Sequence, residues 1–262
     1  MSQRFYLSII APLTALVLAI FCWQAVVWLT GVSPIVMPAP TSVMMALKKE
    51  APKLLNAAMR TSTAAILGLF ASTILGVICA FGFSQSRLIR TTFYPFAILL
   101  QTVPIIAVAP IVVISFGRGF LSVALISMII SIFPVITSTT TGLLQVEASL
   151  LELFRLNKAT WWQELWKLRL PSSLPYMISG IRIAGGAAIV GAIVGEFFVG
   201  SGQPGLGAMI QKKSQGMNMD ELYATVFVAT LLGVVFFSVV TLIGERTLKT
   251  HFATSLSGSP GK

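Results

Sequence analysis

Residues 222–244 read LYATVFVATLLGVVFFSVVTLIG, a run of 23 residues without a single charged side chain. A helix of about 20 mainly apolar residues is long enough to cross the hydrocarbon core of a bilayer. Soluble domains rarely contain such runs, because about a quarter of their residues are charged. The run therefore predicts a transmembrane helix.

The rest of the chain repeats this pattern. Charged residues are also absent from Phe5–Leu47, Thr61–Ser86, Thr91–Gly117 and Gly119–Val146. Over all 262 residues, 56% are hydrophobic, 10% are charged and the mean hydropathy is +0.90. We therefore expect an all-α integral membrane protein with six transmembrane helices, at about 9–30, 62–83, 93–116, 119–141, 175–199 and 222–244.

Between the first two spans, Met37-Pro38-Ala39-Pro40 precedes a polar stretch with helical character, Thr41–Arg60. It is too polar to cross a membrane, so we expect it at an interface, with Thr41-Ser42 as a possible helix cap. The predicted organisation is an N-terminal transmembrane helix (1–35), an interfacial segment on the outer side (36–61), a transmembrane domain (62–250) and a flexible tail (251–262).

The basic residues of the short loops predict the orientation. With the N-terminus inside, ten Lys and Arg residues lie on the cytoplasmic side and seven outside, and such an excess is typical of cytoplasmic loops. Six spans then place both termini in the cytoplasm. The net charge of +10 does not indicate nucleic acid, because the sequence has no stripe of basic and aromatic residues on a polar background.

The loop after the fourth span, residues 147–171, reads EASLLELFRLNKATWWQELWKLRLP. Thr160 followed by Gln163 has the pattern of a capping box, which predicts two short helices meeting near residues 157–160 and closed by Leu170-Pro171 and Pro175. One helical face is apolar, and it consists of Leu150, Phe154, Trp161, Leu165 and Leu168. Periodicity alone leaves two interpretations open. The face lies in lipid headgroups, where Trp is enriched, or it docks on a soluble partner.

Residues 152–171 resemble the cytoplasmic coupling loop of ABC-importer permeases, whose motif reads E-A-A, three residues, G, nine residues, then I-x-L-P. Glu152 matches the acid, Leu168 stands for the Ile, and Leu170-Pro171 match at the correct spacing. Leu153, Phe154 and Lys158 depart from the family's Ala-Ala and Gly. The resemblance assigns Glu152, Phe154, Lys158, Trp161, Leu168, Leu170 and Pro171 to coupling with an ATPase subunit.

Four further stretches resemble the same family. Met37–Thr41 is similar to its L-P-x-P-x-x-V pattern, PIIAVAPIVVISFGRG (Pro104–Gly119) to its third span, and LPSSLPYMISGIRIA (Leu170–Ala184) to its L-P-x-x-L-P-x-x-x-x-G-x-R-x-A pattern. Gly195-Glu196 followed by Gly205-Leu206-Gly207 resembles a G-E and G-L-G pair. Together they resemble the nitrate, sulfonate, taurine and thiamine-precursor branch of type I importers.

The resemblance implies that this chain is not an enzyme but the permease of a bacterial inner-membrane importer. A periplasmic protein would deliver the solute, two copies of the permease would form the pore, and a dimer of ATP-binding subunits would hydrolyse ATP. The sequence has no G-x-x-x-x-G-K-[ST] phosphate loop, so we expect no cofactor in this chain, with ATP and Mg on the partner. The solute is expected to be small and polar or heterocyclic, and the segments VAPIVVISFG and FFVGS favour pyrimidine-like thiamine precursors over sulfonates.

Two charges fall inside predicted spans, Arg182 and Glu196, and such residues are functional candidates because a buried charge is costly in a membrane. For both we favour a structural role: Arg182 pairs with another helix or reaches the interface, and Glu196 bonds to the 201–220 loop or acts at a gate. The fifth span also carries a stripe of small residues that favours close helix packing, Gly180, Ala184, Ala187, Gly191 and Gly195.

The translocation path is expected to expose the few polar groups of spans three and four, where Pro104, Pro110 and Pro134 interrupt helical hydrogen bonding. The candidates are Gln101, Thr102, Ser115, Ser127, Ser131 and Thr137. The alternative function is an ion-coupled secondary transporter or channel, but the sequence lacks the internal repeat and the several buried acids typical of such carriers. The sequence contains no cluster of acids or metal ligands that would indicate an enzyme.

Overall fold

The structure, a computed structural model, describes residues 2–200 and 204–257, with side chains at 10, 11, 14–200 and 204–249. Regular secondary structure in this part of the chain is helical throughout. The helices are α1 (Ser2–Thr30), α2 (Pro40–Gln85), α3 (Arg87–Thr102), α4 (Ile105–Phe116), α5 (Phe120–Leu144), α6 (Ala148–Leu156), α7 (Trp161–Glu164), α8 (Leu170–Val199), α9 (Leu206–Gln215) and α10 (Met219–Ser257), with a π-helical turn (Leu165–Arg169) between α7 and α8.

Four stretches of the described chain are long and apolar enough to cross a membrane: Pro40–Gln85, Phe120–Leu144, Trp161–Val199 and Met219–Lys249. The bent pair α3 and α4 makes a fifth if the two count as one span. Within α1, the stretch Thr14–Thr30 is also apolar. An all-α membrane protein is confirmed, whereas the count of six spans stays a prediction. Of the predicted tail, residues 258–262 lie outside the described residues.

The second span is longer than predicted. The stretch 41–60 is not a separate helix but the first half of α2, so the predicted boundary at residue 61 lies inside a helix of 46 residues. The reason is a continuous buried stripe at helical spacing, which includes Ala46, Leu54, Ala57 and Ala64 and lets the polar half pack like the apolar half. The Thr41-Ser42 cap is wrong, since Pro40 begins the helix after Ala39, and proline is well suited to the first helical position.

The third predicted span is broken. The axes of α3 and α4 meet at 98° around Val103 and Pro104. Pro104 has no amide hydrogen and its ring disfavours helical angles at the preceding residue, so Val103 is extended, with φ −69° and ψ 124°. Pro110 and Pro134, by contrast, lie inside helices that continue past them.

The core forms where α2 and α8 pack against α5. A methyl group on Gly191 of α8 would lie 2.7 Å from the Cα of Ser127 on α5, and one on Gly68 of α2 would lie 2.3 Å from the Ser127 hydroxyl. Contacts this short require glycine, so the small-residue stripe predicted on the fifth span is a packing surface. The main cluster of buried apolar residues joins α2, α4, α5 and α8 around Ala65, Ala109, Ile126 and Ala188.

Candidate functional site

After α5 the chain forms the short helix α6 and then, after a tight turn, α7, so the break predicted near residues 157–160 is present. Thr160 caps α7: its hydroxyl accepts from the Gln163 amide at 3.4 Å, and its own amide donates to Gln163 Oε1 at 2.8 Å. This reciprocal pair is the predicted capping box. The two helices α6 and α7 with their turn are called the helix pair below.

The turn keeps the geometry of a glycine without having one. Lys158 has φ +51°, in the left-handed region. Its amide donates to the Arg155 carbonyl at 2.9 Å, and the next amide, that of Ala159, donates to the Phe154 carbonyl at 3.0 Å. These two bonds are the pattern of a Schellman motif, whose left-handed position is usually glycine. Lys158 therefore adopts the glycine conformation at a steric cost of about 1–2 kcal/mol.

The helix pair is continuous with α8. The predicted closure at Leu170-Pro171 and Pro175 is wrong, because the π-helical turn carries the helix across: the Leu170 amide donates to the Leu165 carbonyl, five residues back. Leu165 and Leu168 are buried, at 4% and 6% exposure. Leu168 therefore packs within this chain, while its contact with an ATPase subunit stays a prediction.

An ion pair fixes the base of the helix pair. The Arg169 guanidinium contacts Glu164 Oε1 through Nε at 2.7 Å and through Nη2 at 2.6 Å, and Nη1 donates to the Leu143 carbonyl at 3.3 Å. Leu143 lies in the last turn of α5. The helix pair is thus tied to both α5 and α8. The sequence offered only a Glu–Arg pair five residues apart, a spacing that does not pair in a regular α-helix.

The helix pair exposes several large apolar side chains. Leu156 is 81% exposed and Trp162 is 63% exposed, with Leu153 and, in the adjoining π-helical turn, Trp166 also more than half exposed. Of the predicted face, Leu150 and Trp161 are exposed and Phe154 is half-buried. Glu152, Lys158 and Pro171 are exposed and Leu170 is half-buried. The resemblance assigned neither Trp162 nor Trp166, and both are exposed.

The buried carboxylate of Glu196 joins three helices at the far end of α8. Its Oε2 accepts from the Thr61 hydroxyl of α2 at 2.9 Å and from the Gly207 amide of α9 at 2.9 Å. The Thr61 oxygen in turn accepts from the Leu206 amide at 3.0 Å. A carboxylate at a helix N-terminus is also favoured by the helix dipole. The predicted bond between Glu196 and the 201–220 loop is present, while the partner on α2 lies 135 residues away in sequence.

The other intramembrane charge has a partner as well. Arg182 Nη2 of α8 lies 3.6 Å from Glu245 Oε1 of α10, which is the pairing with another helix that we favoured. Both side chains are partly exposed. The pair links α8 to α10 in the half of α8 that is nearer the helix pair.

The six candidates for the translocation path do not share one surface. Ser127 and Ser131 are fully buried between helices, where Ser127 donates to the Ala188 carbonyl of α8 at 2.8 Å and Ser131 donates to the Ser127 carbonyl at 2.7 Å. Within this chain these two hydroxyls serve helix packing. Thr137 bonds to its own helix, at the Phe133 carbonyl.

Gln101, Thr102 and Ser115 are exposed on α3 and α4. The first two line a largely apolar groove of about 520 Å³ at the break between α3 and α4, bounded on the other side by Ile129 of α5 and Val190 of α8. Two of the predicted path residues therefore line an open cavity.

Several long apolar helices packed around α5 define a multi-pass membrane protein. Comparison with known proteins is specific. Residues 72–248 match the model of the binding-protein-dependent transport system inner membrane component, and the chain belongs to this family.

Curated relatives match most of the chain. A probable ABC transporter permease protein of Haemophilus influenzae is 32% identical over 85% of this chain and 90% of its own length. The formylaminopyrimidine transport permease protein ThiX of Halalkalibacterium halodurans is 29% identical, over 91% and 94%. A putative aliphatic sulfonates transport permease protein SsuC of Bacillus subtilis is 30% identical, over 90% and 85%.

The fold agrees with a solved transporter. The inward-facing MetNI methionine ABC transporter covers 79% of this chain, and this chain covers 97% of that one, with a TM-score of 0.54 and 17% identity. At this identity the likeness concerns the fold alone. Family, relatives and fold together make this protein the permease of an ABC importer, a multi-pass protein of the inner membrane from a family of transporters rather than enzymes.

Proposed function

We propose that this permease carries a small polar or heterocyclic solute, and that the helix pair transmits to it the conformational change driven by ATP hydrolysis on a partner subunit. The observation that carries the proposal is that the helix pair exposes large apolar side chains while its base is fixed to α5 and α8. Exposed apolar patches outside the spans are typical of protein interfaces. A lipid-resting loop would have no need of the Arg169 anchor.

The surface of the helix pair fits a groove on a soluble partner. Trp161 and Trp162 stack edge to face, with their centroids 4.7 Å apart, which presents a preformed aromatic knob. Buried aromatic anchors of this kind carry much of the affinity of protein interfaces. The partner would be a dimer of ATP-binding subunits, which supplies the ATP and Mg that this chain has no phosphate loop to bind.

The orientation follows from the same assignment. Docking on a cytoplasmic ATPase places the helix pair inside, together with the C-terminal end of α10, and places α9 and the start of α2 on the periplasmic side. A periplasmic binding protein would approach there, and a second copy of this chain would complete the path. Reporter fusions at Ser86 and at the C-terminus are expected to be cytoplasmic, and one at Lys49 periplasmic.

The names of the relatives support the solute class. They include permeases for formylaminopyrimidine, aliphatic sulfonates and taurine, which are small polar or heterocyclic compounds. The groove beside Gln101 and Thr102 is the proposed part of the path in this chain. Its apolar lining fits a planar heterocycle better than a fully hydrated ion.

The deciding experiment is co-purification of the ATP-binding subunit with Trp162→Ala and Phe154→Ala permeases. Loss of a buried anchor typically costs about 2 kcal/mol or more, so the affinity should fall roughly thirtyfold, and solute uptake with it. Trp28→Ala is the matched control, because Trp28 is an exposed tryptophan on α1, far from the helix pair in sequence. Wild-type recovery and uptake in both helix-pair variants would remove the support for docking.

A further inference from the structure

A basic cleft lies at the end of the bundle opposite the helix pair. It has a volume of about 420 Å³ and lies between the polar half of α2 and α9. Four cationic side chains line it, Lys53, Arg60, Lys212 and Lys213, against the single carboxylate of Glu50. The residues of α2 that line the cleft recur at helical spacing, so they form one continuous face.

The acids near the cleft are already paired. Glu50 contacts Lys53 at 2.9 Å and Lys213 at 3.8 Å, and Lys213 also contacts Glu221 of α10. The side chains of Arg60 and Lys212 make no hydrogen bond or ion pair with the described residues. Two cations therefore face the cleft without a counter-charge. Unpaired cations on two facing helices create a strong local preference for an anion.

The depth of the cleft along the membrane normal is set by the sequence. Arg60 is the last charge before Thr61–Ser86, a charge-free stretch of 26 residues, which spans about 39 Å as a helix. The hydrocarbon core is about 30 Å thick. Arg60 and the cleft around it therefore lie at the level of the headgroups, where lipid phosphates are concentrated.

The cleft is also rigid. Thr61 follows Arg60 directly, and its hydroxyl oxygen accepts a hydrogen bond from the Leu206 amide. The Gly207 amide donates to the Glu196 carboxylate. These bonds fix α9 against α2, so the backbone positions that carry Arg60 and Lys212 are set before any ligand arrives. A preorganised site loses less conformational freedom on binding.

We propose that this cleft binds a phosphate group, with the planar Arg60 guanidinium making a two-pronged contact and Lys212 supplying a second charge. Arginine suits this geometry because its donors match two phosphate oxygens. The phosphate belongs either to the headgroup of an anionic phospholipid or to a free phosphate ion. The proposal goes beyond the importer function and does not rest on it.

The lipid source is tested by native mass spectrometry of the delipidated permease with phosphatidylglycerol or phosphatidylcholine. Wild type should retain phosphatidylglycerol. The affinity of Arg60→Gln/Lys212→Gln for this lipid should be lower by roughly tenfold or more, because each removed cation weakens the attraction to anionic lipid. The control Lys48→Gln/Arg118→Gln removes the same charge from exposed positions outside the cleft. Arg60→Lys/Lys212→Arg keeps the charge and should retain most of the binding.

The free-ion source is tested by titrating inorganic phosphate, with chloride at equal ionic strength as the reference. A rise in thermal midpoint with phosphate in wild type and in the control, but not in the cleft variant, supports the site without a lipid. If the cleft variant matches wild type in both assays, or the control loses as much, the proposal is overturned. The proposal is also overturned if the cleft variant loses only the binding of an acidic protein partner and binds lipid and phosphate as wild type does.

Discussion

The carboxylate of Glu196 accepts the backbone amide of Gly207 at 2.9 Å, across the junction where α8 ends and α9 begins. The contact is possible because Gly205 and Gly207 have no side chains. A Cβ on Gly205 would lie 2.0 Å from Glu196 Oε1, and one on Gly207 would lie 2.0 Å from the Ile193 carbonyl. The G-E and G-L-G motifs thus contact each other in one buried packing interface between α8 and α9.

We expect Glu196→Ala to destabilise the permease, because it leaves the Gly207 amide buried without an acceptor. An unsatisfied buried donor costs about 1–3 kcal/mol. Glu196→Gln keeps a carbonyl oxygen at that position and should lose less. Thermal midpoints in detergent measure the difference, with Glu152→Ala on the exposed face of α6 as the control. Equal midpoints for the Ala and Gln variants would contradict the role of the acceptor.

Two glycines on α8 make a matched pair of tests. Gly191→Ala places a methyl 2.7 Å from the Ser127 Cα, so α8 must move away from α5 and the protein should lose about 1–3 kcal/mol. Gly186→Ala meets no atom within 4 Å, and it should be neutral or gain up to about 1 kcal/mol of helix propensity. The thermal midpoint and the yield of monodisperse protein measure both. A tolerated Gly191→Ala would contradict the packing of α8 on α5.

Some local features of the fold are predictable from the sequence alone. The capping box of Thr160 and Gln163 lies within four residues, so its pattern alone predicts the start of α7. The apolar runs predict helices for the same reason. The break at Pro104 was predictable from the rule for residues before proline, which applies directly to Val103.

Long-range relations were not predictable in this way. The sequence of 41–60 is polar overall, so its hydropathy does not predict the stripe of small buried residues that makes α2 continuous. That stripe is defined by packing against the other helices. Leu168 is buried within the π-helical turn. The extra residue in that turn lets the helix continue past Pro171. The bond from Leu206 to Thr61 joins residues 145 apart, and neither residue alone indicates it.

Lys158 is predicted to carry avoidable strain. Lys158→Gly should keep the turn, since the backbone already has the left-handed angles that glycine adopts freely, and should stabilise the helix pair by about 1 kcal/mol. Lys158→Val should weaken it, because a β-branched residue is poorly tolerated at φ +51°. Protease resistance of the helix pair and recovery of the ATP-binding subunit report the change. Weaker recovery with glycine than with valine would contradict the assignment of backbone strain to Lys158.

The last prediction separates docking from transmission. Arg169→Gln removes the contacts with Glu164 and weakens the bond to the Leu143 carbonyl, but it leaves Trp162 and the rest of the apolar surface in place. We therefore expect the ATP-binding subunit to co-purify nearly as well as with wild type, while solute uptake per ATP hydrolysed falls, because motion of the helix pair no longer reaches α5. Arg155→Gln is the matched control, since it removes an exposed arginine from the same loop without touching the anchor. Uptake and ATP hydrolysis should be measured together in proteoliposomes. An unchanged ratio of uptake to hydrolysis in Arg169→Gln would mean that the ion pair only stabilises the loop, and loss of the subunit would mean that the anchor shapes the docking surface itself.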